Sequence, residues 1–257
     1  MAELFVNQAK EYANARPSYP NKLFRFIASK TPSHNLAWDA ATGSGQAAKS
    51  LASMYKNVIA TDVSKKQLEF AIKLPNVRYQ HTPSIMSMSE LEEIVAPEGT
   101  MDLVTIAQAL HWFDLPTFYK QVKWILKKPH GVFAAWCYNL PRVCDEVDTI
   151  LDKLYSTNAS SFSDPLIRFI DSNYRSIDFP FEAVDGADHT GPFEFVKENL
   201  MDLNDYLTYI RSWSAYQTAI EKGVELLGDD VLQKFNLAWG EDVHKVAKFP
   251  IYLRIGK

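Results

Sequence analysis

The chain has 257 residues, 47% hydrophobic and 23% charged, enough to bury the core of one large α/β domain or of a domain with a sizeable insertion. Its 27 basic and 31 acidic residues leave a formal charge of −4 with no Lys/Arg block, which argues against nucleic acid or an anionic membrane as partner. Cys137 and Cys144 are too few for a metal-binding pattern, and no stretch is apolar for long enough to span a bilayer.

In chain order, NKLFRFIAS (21–29) places Leu23, Phe26 and Ile27 on one helical face. LAWDA (36–40) is a short buried strand ending at a glycine turn, QAAKSLASMY (46–55) a helix, and NVIATD (57–62) a second strand. SKKQLEFAIKL (64–74) is a helix capped by Ser64, and NVRYQH (76–81) a third strand. MSELEEIVA (88–96) is a short helix stopped by Pro97 and Gly99, before the strand MDLVTIAQA (101–109). Asp114 then caps a helix with Pro116 in its first turn, and Gly131 turns the chain into a fifth strand ending at Tyr138. Strands alternating with helices imply a parallel sheet covered on both faces.

Beyond CYNLPR the rhythm changes. DEVDTILDKLY, SDPLIRFIDSNY and LNDYLTYIRSWSAYQ are helical, and FEFV (193–196) is strand-like. VHKVAKFPIYLRIGK (243–257) is a long strand whose Pro250 suggests an edge or a bulge. The expected organisation is an α/β core over 1–139 with an N-terminal helical lid, an α-rich cap inserted over 140–230, and a helix and strand over 231–257 that complete the sheet.

Glycines at a strand-to-helix turn permit positive φ and let a ligand approach the backbone. Gly43-Ser44-Gly45-Gln46-Ala47-Ala48 fits G-x-G-x-x-A, and Asp62 ends the next strand, where a carboxylate can accept two ribose hydroxyls. NAD and S-adenosylmethionine both satisfy that pattern. Asp39 suits an ammonium and would repel a pyrophosphate, about 35 residues precede the first strand, and no second βαβαβ half follows for a nicotinamide.

With YANARPSYP, WDAATGSGQAA, ATDVS, IAQALHWFD, RSWSAYQ and FPIYLRIGK, the chain resembles the class I S-adenosylmethionine-dependent methyltransferases over nearly its whole length. Within them it is most similar to the trans-aconitate methyltransferase-like and plant embryo-abundant-protein-like branch. The resemblance implies a Rossmann-like seven-stranded sheet, ordered 3-2-1-4-5-7-6 with strand 7 antiparallel and formed by FPIYLRIGK. It also implies S-adenosylmethionine as cofactor and S-adenosylhomocysteine as product. Asp39, Gly43 and Gly45 would line the methionine end, Asp62 and Val63 would meet the ribose, and Gln108 and Ala109 would pass under the sulfonium. Tyr12 and Tyr19 would close over the donor. The family's first glycine is replaced by Ala41, which a negative φ would tolerate. The loop HTPSIM lacks the family's acid near adenine, leaving His81, Thr82 or backbone to serve.

The resemblance implies in-line methyl transfer to a small molecule, with a carboxylate oxygen as first expectation and a small amine or alkaloid-like nitrogen as second. A NAD-dependent oxidoreductase and a non-catalytic cofactor-binding homologue are more remote. His111 is the candidate general base or acceptor-orienting donor; a structural histidine fixing its loop is the alternative. Arg16, Trp112, Trp136, Tyr138, Arg211 and Trp213 are the acceptor-side candidates, Arg211 as a bidentate carboxylate clamp or as the partner of Asp202 or Asp205. A cytoplasmic enzyme without a metal is expected. The oligomeric state is not legible.

Overall fold

The computed structural model describes residues 17–241 and 243–257, so the expectations placed on Tyr12 and Arg16 lie outside the described residues. In chain order the elements are α1 (Asn21–Ser29), β1 (Leu36–Ala40), α2 (Gln46–Leu51), β2 (Asn57–Asp62), α3 (Lys65–Glu69), β3 (Val77–His81), α4 (Met88–Ile94), β4 (Leu103–Ala107), α5 (Leu115–Ile125) and β5 (Val132–Tyr138). There follow α6 (Asp145–Lys153), α7 (Arg168–Asp171), β6 (Phe193–Met201), α8 (Leu203–Arg211), α9 (Ser214–Glu221), α10 (Asp229–Trp239) and β7 (Lys245–Gly256). The seven strands form one sheet ordered β3-β2-β1-β4-β5-β7-β6, with β7 antiparallel to both neighbours, as the resemblance implied.

Strict alternation along β5 divides the core. Val132, Ala134, Trp136 and Tyr138 face a layer containing α1, α2 and the α8–α10 helices, while Phe133, Ala135 and Cys137 face α4 and α5. Both faces are dry, which is why the central strands read as continuous apolar runs. Ser64 accepts the Gln67 amide, and Ser87 with Glu90 forms a capping box, so each helix start lies where its polar residue stands.

Three expectations change. The segment 140–230 is not a cap separate from the sheet, because β6 lies within it and forms the sheet's edge. The alternating burial of β6 marks a strand with one covered face. LNDYLTYIRSWSAYQ is two helices, since Trp213 adopts an extended φ/ψ and lets α9 start afresh. Finally, Pro250 sits on an interior strand. Its carbonyl accepts the Asn139 amide at 3.0 Å, just past the last β5 pair, Tyr138 with Ile251. Its missing N–H therefore points beyond the end of β5, and the β6 ladder keeps its donors.

Candidate active site

The C-terminal ends of β1, β2, β4 and β5 open onto a cavity of about 380 Å³. A second cavity of about 100 Å³ adjoins it, and Gln108, Trp112 and Tyr138 line both. This is where open α/β sheets place ligands, outside the carboxyl ends of their strands.

The turn after β1 forms one wall of the first cavity. Gly43 has a φ of +59°, and its amide donates to Asp62 Oδ2 at 2.8 Å. Asp62 Oδ1 accepts the Ser64 amide at 2.8 Å, so one carboxylate ties two loops together. Burial pushes the Asp62 pKa up although these amides pull it down. Ala41 also sits at positive φ, +52°, contrary to the expectation of negative φ; an L-residue keeps the conformation meant for the family's first glycine. Gln108 is left-handed as well, at +59°. Its side-chain amide donates to the Tyr138 carbonyl at 3.0 Å and accepts the Tyr138 amide at 2.9 Å, locking the end of β4 to the end of β5. Two non-glycine residues in this region at the rim of one cavity are the kind of strain that functional sites retain.

Asp39 does not reach the cavity surface. It is fully buried, with Thr42 donating to Oδ2 at 2.5 Å and Thr105 to Oδ1 at 2.7 Å. Burial raises its pKa to about 6, with the Asp62 charge adding to the rise. Gly45, expected to line the ligand, faces elsewhere: a Cβ there would stand 2.6 Å from Tyr79 Oη, so its bareness serves packing against β3. Tyr19, Val63, Thr82 and Ala109 do line the first cavity, while His81 does not. Asp114, Thr117, Phe118 and Gln121 extend this wall along one face of α5. Their i, i+3, i+4, i+7 spacing carried a signal, because Thr117 and Gln121 set a polar edge along one side of the apolar stripe of Phe118, Val122 and Ile125.

Around the second cavity stand Trp112, Tyr138, Tyr155, Tyr209, Trp213 and His111. His111 is 3% exposed, and burial drops its pKa to about 4, against a small opposing effect of Asp164. Trp136 is overturned as an acceptor wall. It is fully buried under α1, edge-on to Tyr19 and Phe24, because its strand position points into the helical layer. Arg211 is overturned as a clamp, since it lines neither cavity and its side chain instead meets Tyr216. Neither Asp202 nor Asp205 takes it either, Asp202 being occupied as the cap of α8. Tyr209 is one of the aromatics that crowd the 140–230 segment, whereas nothing in the sequence pattern marked Asn139 or Tyr155; the three converge here from separate segments.

The family model described as Methyltransferase domain matches residues 38–135, from β1 into β5. A Dictyostelium discoideum protein named as a methyltransferase is 32% identical over 261 residues, covering 98% of this chain and 94% of its own. The chain belongs to the class I S-adenosylmethionine-dependent methyltransferases. A solved type II methyltransferase from Anaeromyxobacter dehalogenans is 31% identical with a TM-score of 0.80, covering 94% of this methyltransferase and 97% of its own chain. A Saccharomyces cerevisiae protein named as an S-adenosylmethionine-dependent methyltransferase is 27% identical, over 81% of this chain and 79% of its own.

The cofactor of this methyltransferase is S-adenosylmethionine, and the first cavity fits it chemically. Each Asp62 carboxylate oxygen accepts one backbone amide and keeps a lone pair for a diol. Val63, Ile85 and Met86 offer apolar contact for a flat ring, and the turn at Ala41–Gly43 presents bare backbone. Among the described residues no helix is long and apolar enough to cross a membrane.

Proposed function

We propose that this methyltransferase acts on a small, uncharged, ring-bearing molecule held in the second cavity, and methylates it at nitrogen or oxygen. The observation that carries this reading is the makeup of that cavity: aromatic side chains surround it, and no Lys or Arg lines either cavity among the described residues. A carboxylate acceptor, the first expectation, needs a cation to offset its desolvation. Arg211 is turned away, and Arg16 lies outside the described residues. The cavity therefore favours the second expectation, an amine or alkaloid-like nitrogen, together with its neutral oxygen counterparts.

In this reading Asp62 holds the ribose hydroxyls, and Val63, Thr82 and Met86 surround the adenine. The strained turn at Ala41–Gly43 meets the amino-acid end, with Asp39 setting the local charge from behind the wall. Tyr19 and Ala109 complete the cavity. S-adenosylmethionine supplies a methyl group made electrophilic by its sulfonium. The protein's contribution is alignment: Gln108 fixes the junction of the cavities, and Trp112, Tyr138 and Trp213 hold the acceptor's flat face. Orientation of this kind supplies about 7–11 kcal/mol of barrier reduction in well-aligned systems. Residues 140–230 apart from β6, with His111 from the core, supply the acceptor's surroundings.

The test has two stages. Calorimetry with S-adenosylhomocysteine is expected to give micromolar binding that Asp62→Ala abolishes, with none for NAD. A panel of heteroaromatic amines, phenols and carboxylic acids is then assayed for S-adenosylhomocysteine release. Turnover confined to the carboxylic acids would overturn the acceptor class.

A further inference from the structure

Tyr174 reaches the second cavity from behind. Its ring is fully buried, and its hydroxyl lies 3.0 Å from His111 Nδ1. The residue is placed there against a backbone cost: Asn173 and Tyr174 have φ values of +58° and +57°, a region in which a bulky residue is a clear outlier. Two groups hold this turn. Arg254, on β7, donates to the Tyr174 carbonyl at 2.9 Å, and Asn139, just past β5, donates to Asn173 Oδ1 at 2.7 Å. A buried phenol must still dispose of its proton. His111 Nδ1 is the one hydrogen-bond partner of that hydroxyl among the described residues, so the phenol proton is donated to it and Nδ1 accepts. The other ring nitrogen, Nε2, has no hydrogen-bond partner among the described residues, and His111 itself lines the cavity.

We propose that Tyr174 is a positioning residue that holds His111 in its Nε2–H form, so of the two roles expected for His111 the acceptor cavity receives the hydrogen-bond donor and not the general base. A neutral imidazole whose Nδ1 accepts from a phenol must carry its proton on Nε2. It cannot take a second proton there. It orients the acceptor through a hydrogen bond without taking a proton from it, so of the two proposed acceptor atoms the cavity favours a nitrogen that carries no extra proton at neutral pH over a hydroxyl oxygen. Burial of both rings keeps them uncharged and preserves this polarity. The inference rests on the second cavity being the acceptor seat, but the tautomer itself does not.

The experiment is nitrogen NMR of the ligand-free protein carrying ¹⁵N-labelled histidine, with His111 assigned from the spectrum of His111→Gln. At neutral pH the wild type is expected to show an unprotonated Nδ1 and a protonated Nε2. Tyr174→Phe, which keeps the ring and removes the hydroxyl, is expected to move His111 to a mixture of tautomers. In an acceptor assay it is expected to raise KM several-fold while S-adenosylhomocysteine affinity stays unchanged. An Nδ1–H tautomer or an imidazolium in the wild type overturns the proposal, as does an unchanged His111 spectrum in Tyr174→Phe. Should that variant not fold, the wild type decides through the slowly exchanging Tyr174 hydroxyl proton: coupling across the hydrogen bond to His111 Nδ1 supports the proposal, and its absence overturns it. Calorimetry with S-adenosylhomocysteine tests the methyl-donor reading separately, so either conclusion can fail alone.

Discussion

Asp62 Oδ2 accepts the Gly43 amide at 2.8 Å, so the carboxylate at the end of β2 also fixes the turn after β1. Removing it costs two things at once. Asp62→Ala is expected to abolish S-adenosylhomocysteine binding in calorimetry and to destabilise the fold by ~1.5–3 kcal/mol, the range for hydrogen bonds to charged groups. Asp62→Asn keeps one acceptor and is expected to fall between the two. Unchanged affinity in Asp62→Ala would remove this residue from the cofactor site.

Ala41 is a non-glycine residue at a φ of +52°. Left-handed geometry costs an L-residue ~1–2 kcal/mol, whereas glycine gains unfolded-state entropy worth ~0.4–1 kcal/mol. The first effect is larger. Ala41→Gly is therefore expected to raise stability by ~0.5–1 kcal/mol in urea titration; a loss would mean that the turn stores no strain here.

Gly45 behaves in the opposite way. A Cβ there would meet Tyr79 Oη at 2.6 Å, on a backbone at φ +84°. Gly45→Ala is expected to lose at least ~1–2 kcal/mol, of which Tyr79→Phe in the same chain recovers the steric part. A double-mutant cycle in urea measures the recovery, and strict additivity would refute the contact.

Asp39 makes stability depend on pH. Its folded pKa of about 6 lies above the ordinary 3.8, so the native state holds a proton that the unfolded chain releases. That contribution favours folding below pH 4 and is lost as pH rises through 6, a change on the order of 3 kcal/mol. Asp39→Asn is expected to lack it. The difference in unfolding free energy between wild type and variant should therefore shift from pH 4 to pH 7, and a constant difference would contradict the raised pKa.

At the acceptor side, Trp213 and Arg211 are two residues apart yet differ in role. Trp213 lines the second cavity and Arg211 does not. Trp213→Ala is expected to raise the acceptor's KM at least ~10-fold, in keeping with the loss of a buried aromatic contact, with S-adenosylhomocysteine affinity unchanged. Arg211→Ala should leave KM unaltered. Equal effects would restore the carboxylate clamp.

The sheet was legible because each central strand announces itself twice, by an apolar run and by a turn after it. LAWDA and NVIATD match β1 and β2 residue for residue. Helix lengths were less legible: Gln46–Leu51 stops well short of Tyr55, because a pattern of periodic apolar residues continues past the point where the backbone turns away. Asp62, Val63 and Thr82 were readable as cavity residues from their places at strand ends. Trp136 was misread, although strand parity alone puts it on the same face as Ala134. Tyr174 was not readable as a partner of His111. Its position depends on a left-handed turn held by Arg254, a residue 80 positions further along. No local pattern encodes that.

The place of β7 between β5 and β6 has a consequence for biosynthesis. Until Lys245–Gly256 leaves the ribosome, β5 presents an open edge and β6 has no neighbour to pair with among the described strands. A nascent chain at that stage carries two exposed ladders, the condition that invites aggregation. A stop codon just ahead of Lys245 would therefore remove one strand in name and two in effect, since β6 pairs with β7 alone among the described strands, and the cell would register the loss as insoluble protein before any missing activity.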